Sequence, residues 1–541
     1  METSIRDFDD VLSHLGVGKW NLVSLIGLGY WYFLMPGQLL AGSFLGPDVD
    51  HMCQPPGVGD LTKSGKLFNN YTEIISVSKC HYDVSTITGT NATHTCKNWD
   101  FDNSTFGSTV TSEFNLVCDS SYLRMSYSSI FMFGALLGAP CNGISDRYGR
   151  KLILSVGTSI FCVMCILSTW LPNVESLLVV RFMLGFMYPT STLSGYNLVL
   201  EAFGKEWRSV VGVAIWLPWV LGTMAWGGIA YLIRDWRTLQ LTVSLPTILF
   251  LPFLWFMDES PRWLVVAGRQ NKAKKVLERA ARLNHVQPLT HDQLTDVMDI
   301  VHCQQDGSLK KNYEETTSLT NSLVLYCKKL ASSALILFRT PKLRLLTLVD
   351  CHNSFIGSMT FFGLSLSGVS YSNDPYMYMM FSGLAELPSV TLVVPVIRRW
   401  GRRRPSMSFY LASGASLLLI PFVSQGWHRI TLAMIGKLSI SMAFNIFALH
   451  STELYPTQVR LQGASIGLMM QRFGSTISPF ITDLLGPLVT WAPSVVFGVG
   501  SLMAGACVLL LPENEGRSMP DTIHDFEHYT NTDHQVPEKR A

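Results

Sequence analysis

Six ionisable side chains stand inside otherwise apolar stretches of this chain: Arg181, Asp350, His352, Glu386, Lys437 and Arg472. Arg472 lies near the middle of LQGASIGLMMQRFGSTISPFITDLL, Leu461–Leu485. A guanidinium in hydrocarbon costs about 2.5–3.5 kcal/mol on insertion scales, so it is expected to face a cavity or a partner. Its planar fork suits a carboxylate held by two hydrogen bonds. That carboxylate belongs either to a neighbouring helix or to a bound solute. Glu386, in AELPS, is its mirror image: it pairs with Arg472 or another buried cation, or meets the cationic end of a solute. Pro388 two residues on removes a helical hydrogen bond, a break tolerated where neighbours or water line a cavity. Asp350 is a third candidate contact, while Arg181 and Lys437 fall nearer the ends of their stretches. Aromatic faces attract quaternary ammonium and flat organic ions. Trp216 and Phe447 are the strongest aromatic candidates, ahead of Trp219, Tyr188, Tyr196, Phe355, Phe361, Phe362 and Phe444. Most aromatics at helical spacing serve packing.

Covalent chemistry has no support. The chain carries no G-x-S-x-G elbow, no H-E-x-x-H and no dinucleotide fingerprint. Lys437 in IGKLS is followed by Leu438 rather than Ser or Thr, so it is not a phosphate loop and gives no basis for an ATP-driven pump. No cofactor is expected, and no metal, because the cysteines beyond the first loop show no ligand spacing. A net charge of +2, with the basic residues gathered in short loops between apolar runs, gives no case for nucleic acid.

The stretches that must position these groups are spanning helices. Of 541 residues, 48% are hydrophobic and only 15% charged, with a mean hydropathy of +0.25; soluble chains carry about 25% charged residues. Runs of about 20 apolar residues qualify as spans. The expected layout is all-α, with twelve transmembrane helices in two six-helix bundles at 20–257 and 343–511. A short segment, 1–19, precedes them, without the apolar region of a cleavable signal. A loop at 46–119 follows the first helix, a polar segment with amphipathic helices fills 258–342, and a tail covers 512–541. The loop holds Cys53, Cys80, Cys96 and Cys118 beside sequons at Asn70, Asn91 and Asn103. An even cysteine set among sequons points to an extracellular loop with two disulfides, whose pairing the sequence leaves open. Basic short loops such as RYGRK and RRWGRRR all fall on the opposite side, which by the positive-inside rule is cytoplasmic, with both termini.

The halves repeat one another. SDRYGRK (Ser145–Lys151) and IRRWGRRR (Ile397–Arg404) follow the second helix of each half. EAFGKEWR (Glu201–Arg208) and ELYPTQVR (Glu453–Arg460) follow the fourth, and DESPRW (Asp258–Trp263) and PENEGR (Pro512–Arg517) the sixth. Glu201 comes 55 residues after Asp146, and Glu453 comes 55 after Arg398. Two matched halves describe a pseudo-symmetric transporter with its site between them. Acidic groups beside arginines at helix ends lock packed helices through charge-assisted hydrogen bonds. A lock that must open is a conformational latch. The candidate latch groups are Asp146, Arg147, Arg150, Arg181, Glu201, Arg208, Glu259, Arg262, Glu453 and Arg460; static anchoring by the basic residues is the alternative.

NGISDRYGRK (Asn142–Lys151) resembles the hallmark turn of the major facilitator superfamily, and RFMLGF (Arg181–Phe186) its fourth-helix motif. Asn142 stands where that pattern usually has Gly, and Arg398 where the second copy usually has Asp. Four features narrow the resemblance to the superfamily's organic cation, anion and zwitterion transporters: the cysteine-rich first loop, ESPRWL, ELYPTQVR and LPENEGRSMPDTI. The resemblance implies an alternating-access carrier of small organic ions in the plasma membrane, drawing on a coupling ion or an exchanged counter-substrate. It places Arg472 where cation carriers have Asp and anion or carnitine-type carriers have Arg, and Glu386 where cation carriers hold a cationic group. Val390 stands where several anion carriers have Lys. The expected substrate is therefore a carboxylate-bearing zwitterion or an organic anion, with an organic cation as the alternative and a non-transporting receptor as a further one.

Overall fold

Inside a bilayer each backbone N–H and C=O must be satisfied within its own segment, so apolar runs become helices. The computed structural model describes residues 8–55, 71–86, 91–287, 335–372, 374–424, 426–512 and 523–528. Spans 1–6 are Lys19–Leu45, Ser121–Gly138, Arg150–Trp170, Val174–Leu200, Lys205–Leu232 and Trp236–Phe256. Spans 7–12 are Pro341–Leu366, Pro375–Thr391 with Val393–Trp400, Arg403–Phe422, Trp427–Leu454, Arg460–Phe480 and Ala492–Val508. By length and composition seven are long and apolar enough to cross a bilayer, or eight when the pair bent by 45° counts as one. Spans 2, 7 and 11 carry more polar side chains, which suits helices facing a site rather than lipid. Leu461–Leu485 runs as α-helix from Arg460 to Phe480 and ends in a π turn, Ile481–Leu485.

Each half builds its own hydrophobic core, and the two meet. Phe362, Tyr376, Met379 and Val390 of the second half are buried in the core of the first. Small residues let helices approach closely without a hydrophobic driving force. A Cβ at Gly134 of span 2 or Gly185 of span 4 would overlap the backbone carbonyl of Phe182 or Phe131.

The first loop is more ordered than an all-α reading anticipates. His51–Cys53 pairs antiparallel with Trp99–Phe101, and Tyr71–Val77, His81–Thr86 and Asn91–Thr95 form a meander. Its disulfides are Cys53–Cys96 and Cys80–Cys118. Asn103 is exposed in a turn, and Asn70 lies outside the described residues. The loop also braces the bundles: Tyr376 of span 8 donates to the Thr105 carbonyl at 2.9 Å and stacks on Phe44, centroids 5.2 Å apart. Removing a disulfide from so small a module costs about 2–5 kcal/mol. Cys80→Ala/Cys118→Ala is expected to block maturation, read by glycan processing and surface biotinylation; normal surface delivery would contradict a structural role.

The N-terminal segment differs from a plain tail. Phe8–Leu15 is a helix that buries Phe8, Val11, Leu12 and Leu15 against the first half. In the central segment Pro261–Val266 and Gln270–Asn284 are helical, the second burying Ala273, Leu277, Ala280 and Ala281. Positions 288–334 of that segment and most of the PENEGR motif lie outside the described residues.

Candidate functional site

Arg472 points from span 11 of the second half toward an aromatic wall on the first. Its guanidinium carbon lies 5.6 Å from the Tyr188 ring centre on span 4, with Tyr32 of span 1 among its electrostatic neighbours. Trp216 at the bend of span 5 is 42% exposed and stands edge-on to Tyr32, centroids 5.1 Å apart. Among the described residues no carboxylate lies within ion-pair reach of Arg472.

Glu386 has another partner. Its Oε1 lies 2.9 Å from Nζ of Lys437, which is fully buried on span 10. The ammonium also donates to the Phe361 carbonyl at 3.1 Å and to the Ser365 hydroxyl, and lies 3.3 Å from the Phe361 ring centre. The other Glu386 oxygen accepts from the Trp219 indole of span 5 at 3.3 Å, a polar tie between the halves. Sequence reading put Lys437 nearer a helix end and left Glu386 to Arg472, another buried cation or a solute. The structure corrects the first and selects the buried cation for the second, because span 10 begins at Trp427 and brings Lys437 against Glu386.

The remaining candidates separate. Asp350 is 1% exposed on span 7 and accepts from Tyr455 (3.2 Å) and Ser354 (3.5 Å). Phe447 is 2% exposed and packs edge-on to Tyr410 within the second core, away from Arg472's aromatic wall. Arg181, 2% exposed, donates to the Gln38 carbonyl at 3.0 Å and to the Tyr127 hydroxyl, with its guanidinium carbon 4.1 Å from the Tyr127 ring centre.

At the opposite end from the disulfide loop, the repeated motifs make repeated bonds. Arg150 meets Glu201 at 3.2 Å and Arg402 meets Glu453 at 2.6 Å, each pair 51 residues apart. The second-half counterpart of Arg150 is thus Arg402. Asp146 holds Arg150 at 3.0 Å, and Arg147 lies over the Tyr148 ring. Arg460 donates to the Tyr455 carbonyl at 3.4 Å. These motif contacts join elements of one half. Glu259 accepts from the backbone N–H groups of Arg150 and Lys151, both at 3.0 Å, so a carboxylate caps span 3 where the helix dipole favours an anion. Gly149 makes this possible: its φ of +114° disfavours a side chain, and a Cβ would lie 2.5 Å from Glu259 Oε2. Glu259→Ala is expected to cost about 1–2 kcal/mol, read as a lowered thermal midpoint, while Glu259→Gln costs less; equal midpoints would remove the cap.

Asp9 was not anticipated. Buried at the start of the N-terminal helix, it meets Arg208 at 2.9 Å and Lys205 and Arg262 at 3.6 Å each. The only trace in sequence is the amphipathic pattern FDDVLSHL.

The family model "Sugar (and other) transporter" matches residues 69–526. The "Organic cation transporter protein" of Drosophila melanogaster is 31% identical over 548 residues, covering 96% of this chain and 95% of that protein. "Solute carrier family 22 member 2" of Mus musculus is 31% identical over 562 residues with the same coverage. This chain belongs to solute carrier family 22. "Solute carrier family 22 member 1" of Oryctolagus cuniculus, at 32% over 552 residues, agrees. A solved structure of the proton:xylose symporter XylE bound to 6-bromo-6-deoxy-D-glucose aligns with a TM-score of 0.60 at 15% identity, covering 94% of this chain and 98% of that one. The fold is that of the major facilitator superfamily, and this family 22 member is a secondary transporter rather than an enzyme.

Proposed function

We propose that this carrier moves small organic cations across the plasma membrane by alternating access, and that Arg472 narrows them to cations that also bear a carboxylate. The names of its relatives favour organic cations over the anion or carnitine preference expected from Arg472 alone. An anion with no cationic group is therefore set aside. The carboxylate requirement rests on one observation: Arg472 faces the other half with no internal carboxylate among the described residues. Glu386 is neutralised by Lys437, so a plain cation would meet the uncompensated positive charge of Arg472. Tyr32, Tyr188 and Trp216 offer aromatic faces for an ammonium group beside it. A ligand that binds inward- and outward-open states differently shifts their balance. With the basic turns cytoplasmic and the disulfide loop outside, both termini lie inside.

The test is an uptake panel in transfected cells comparing tetraethylammonium, carnitine, a monocarboxylate and a dicarboxylate. Carnitine is expected to be taken up best. Equal or better uptake of tetraethylammonium would establish a simple organic cation carrier, the reading that the relatives' names support. Uptake of the dicarboxylate alone would sink both, and binding without uptake would indicate a receptor-like member.

A further inference from the structure

One buried charge-bearing group takes no part in the Arg472 site. Asp350 lies nine residues into span 7, roughly 14 Å from its start at a helical rise of 1.5 Å per residue. Two hydroxyls donate to it, Ser354 from its own span at 3.5 Å and Tyr455 just beyond span 10 at 3.2 Å, with Ser451 of span 10 among its neighbours. Span 11 closes the fourth side with Gly467, where a Cβ would stand 3.0 Å from the Asp350 Oδ2. The titratable groups facing it are Tyr455, Cys351 on the same helix and Tyr410 of span 9, whose hydroxyl donates to the Asn353 carbonyl. None is a cation. His352 turns its ring to Asn353, and His450 has Arg402 and Arg403 as its charged neighbours. Among the described residues Asp350 therefore lacks the positive partner that Glu386 has in Lys437.

A fully buried carboxylate without a cation strongly disfavours its charged form. Two routes to neutrality exist: a proton on the carboxyl, or a bound cation. The surroundings favour the proton. Hydroxyls donate to a carboxylate and equally accept from a carboxylic acid, and among the described residues no second carboxylate faces Asp350 to share the charge of an ion. We propose that Asp350 is a proton-binding site of this carrier. Its carboxyl holds a proton while spans 7, 10 and 11 are packed as here, and releases it to water when span 11 parts from span 7. Binding of the proton and closure of these helices are then linked, so each favours the other. A proton gradient acting on this site biases the alternation of the carrier whatever solute Arg472 selects.

The test needs no substrate. The purified full-length chain in lipid nanodiscs is titrated from acid to alkaline pH by infrared difference spectroscopy, as wild type and as Asp350→Asn. At neutral pH the wild type is expected to show a carboxylic-acid C=O band that Asp350→Asn lacks. Loss of an ionised-carboxylate band instead, with no acid band missing, overturns the proposal. Sodium added at constant pH is expected to leave the acid band in place, and its disappearance would make the site a sodium site. Should Asp350→Asn fail to fold, Tyr455→Phe removes one donor to the ionised form. It is expected to move the band's titration midpoint upward by about one pH unit or more; an unmoved midpoint overturns the proposal. Thermal midpoints supply an independent readout. A carboxyl neutral in the folded state and ionised in the unfolded one gives stability that falls as pH rises, and Asp350→Asn is expected to flatten that fall.

Discussion

Lys437→Met in a chain that keeps Glu386 is expected to destabilise the carrier by about 3–5 kcal/mol, the cost of leaving one partner of a buried ion pair uncompensated. Lys437 is fully buried and Glu386 is 4% exposed, so water cannot take the place of the lost partner. The same ammonium donates to the Phe361 carbonyl and the Ser365 hydroxyl, and both lose that contact although they keep the bond between them at 2.8 Å. Replacing both charges is a different experiment. Glu386→Gln/Lys437→Met removes the isolated charge and is expected to recover most of the stability, since buried pairs are often no more stabilising than neutral groups of similar volume. The measurement is the thermal midpoint by fluorescence-detected size exclusion, with surface biotinylation alongside. A double variant as unstable as Lys437→Met would mean that packing, not charge pairing, governs this position. Glu386 also holds the Trp219 indole across the halves, so the rescued double variant is expected to transport differently even when it folds.

Arg472→Ala should behave in the opposite way. This arginine has no carboxylate to orphan among the described residues, so its loss is expected to leave folding and surface expression nearly unchanged. Uptake of a carboxylate-bearing cation such as carnitine is expected to fall about 100-fold, because a bidentate charge-assisted contact is worth about 3 kcal/mol and each 1.4 kcal/mol is a factor of ten. Arg472→Lys keeps the charge and loses the fork, so an intermediate loss is expected. Unchanged carnitine uptake in Arg472→Ala, with normal surface protein, would remove Arg472 from the site. Two cations in one half, one compensated internally and one not, thus lead to a folding defect in one case and a selectivity defect in the other.

Local chemistry decided much of this in advance. The apolar runs and the repeated turns, acidic ends and arginines are properties of contiguous segments, so the helices and the two-half organisation were readable residue by residue. The Arg150–Glu201 and Arg402–Glu453 bonds follow from the repeat, since Arg402 stands to Arg150 as Arg398 stands to Asp146 when the turns are aligned. Four cysteines in one loop announced two disulfides but not their pairing, which depends on how the strands of that loop cross.

Partner choice among buried charges was beyond the sequence. Which cation meets Glu386 depends on the depth at which span 10 presents Lys437 to span 8, a rigid-body offset between helices 51 residues apart that no local pattern encodes. The same holds for Asp9, whose three cations come from the Lys205–Arg208 turn and from Arg262. Phe447 and Trp216 look alike as aromatic residues on apolar helices, and only packing puts one in a core and the other beside Arg472's wall. The sequence by itself determined the membrane helices, their pairing into two halves and the presence of an expensive arginine. Tertiary structure decided which charges cancel, because electrostatic energy in a low dielectric depends on distances of a few ångströms between segments far apart in the chain.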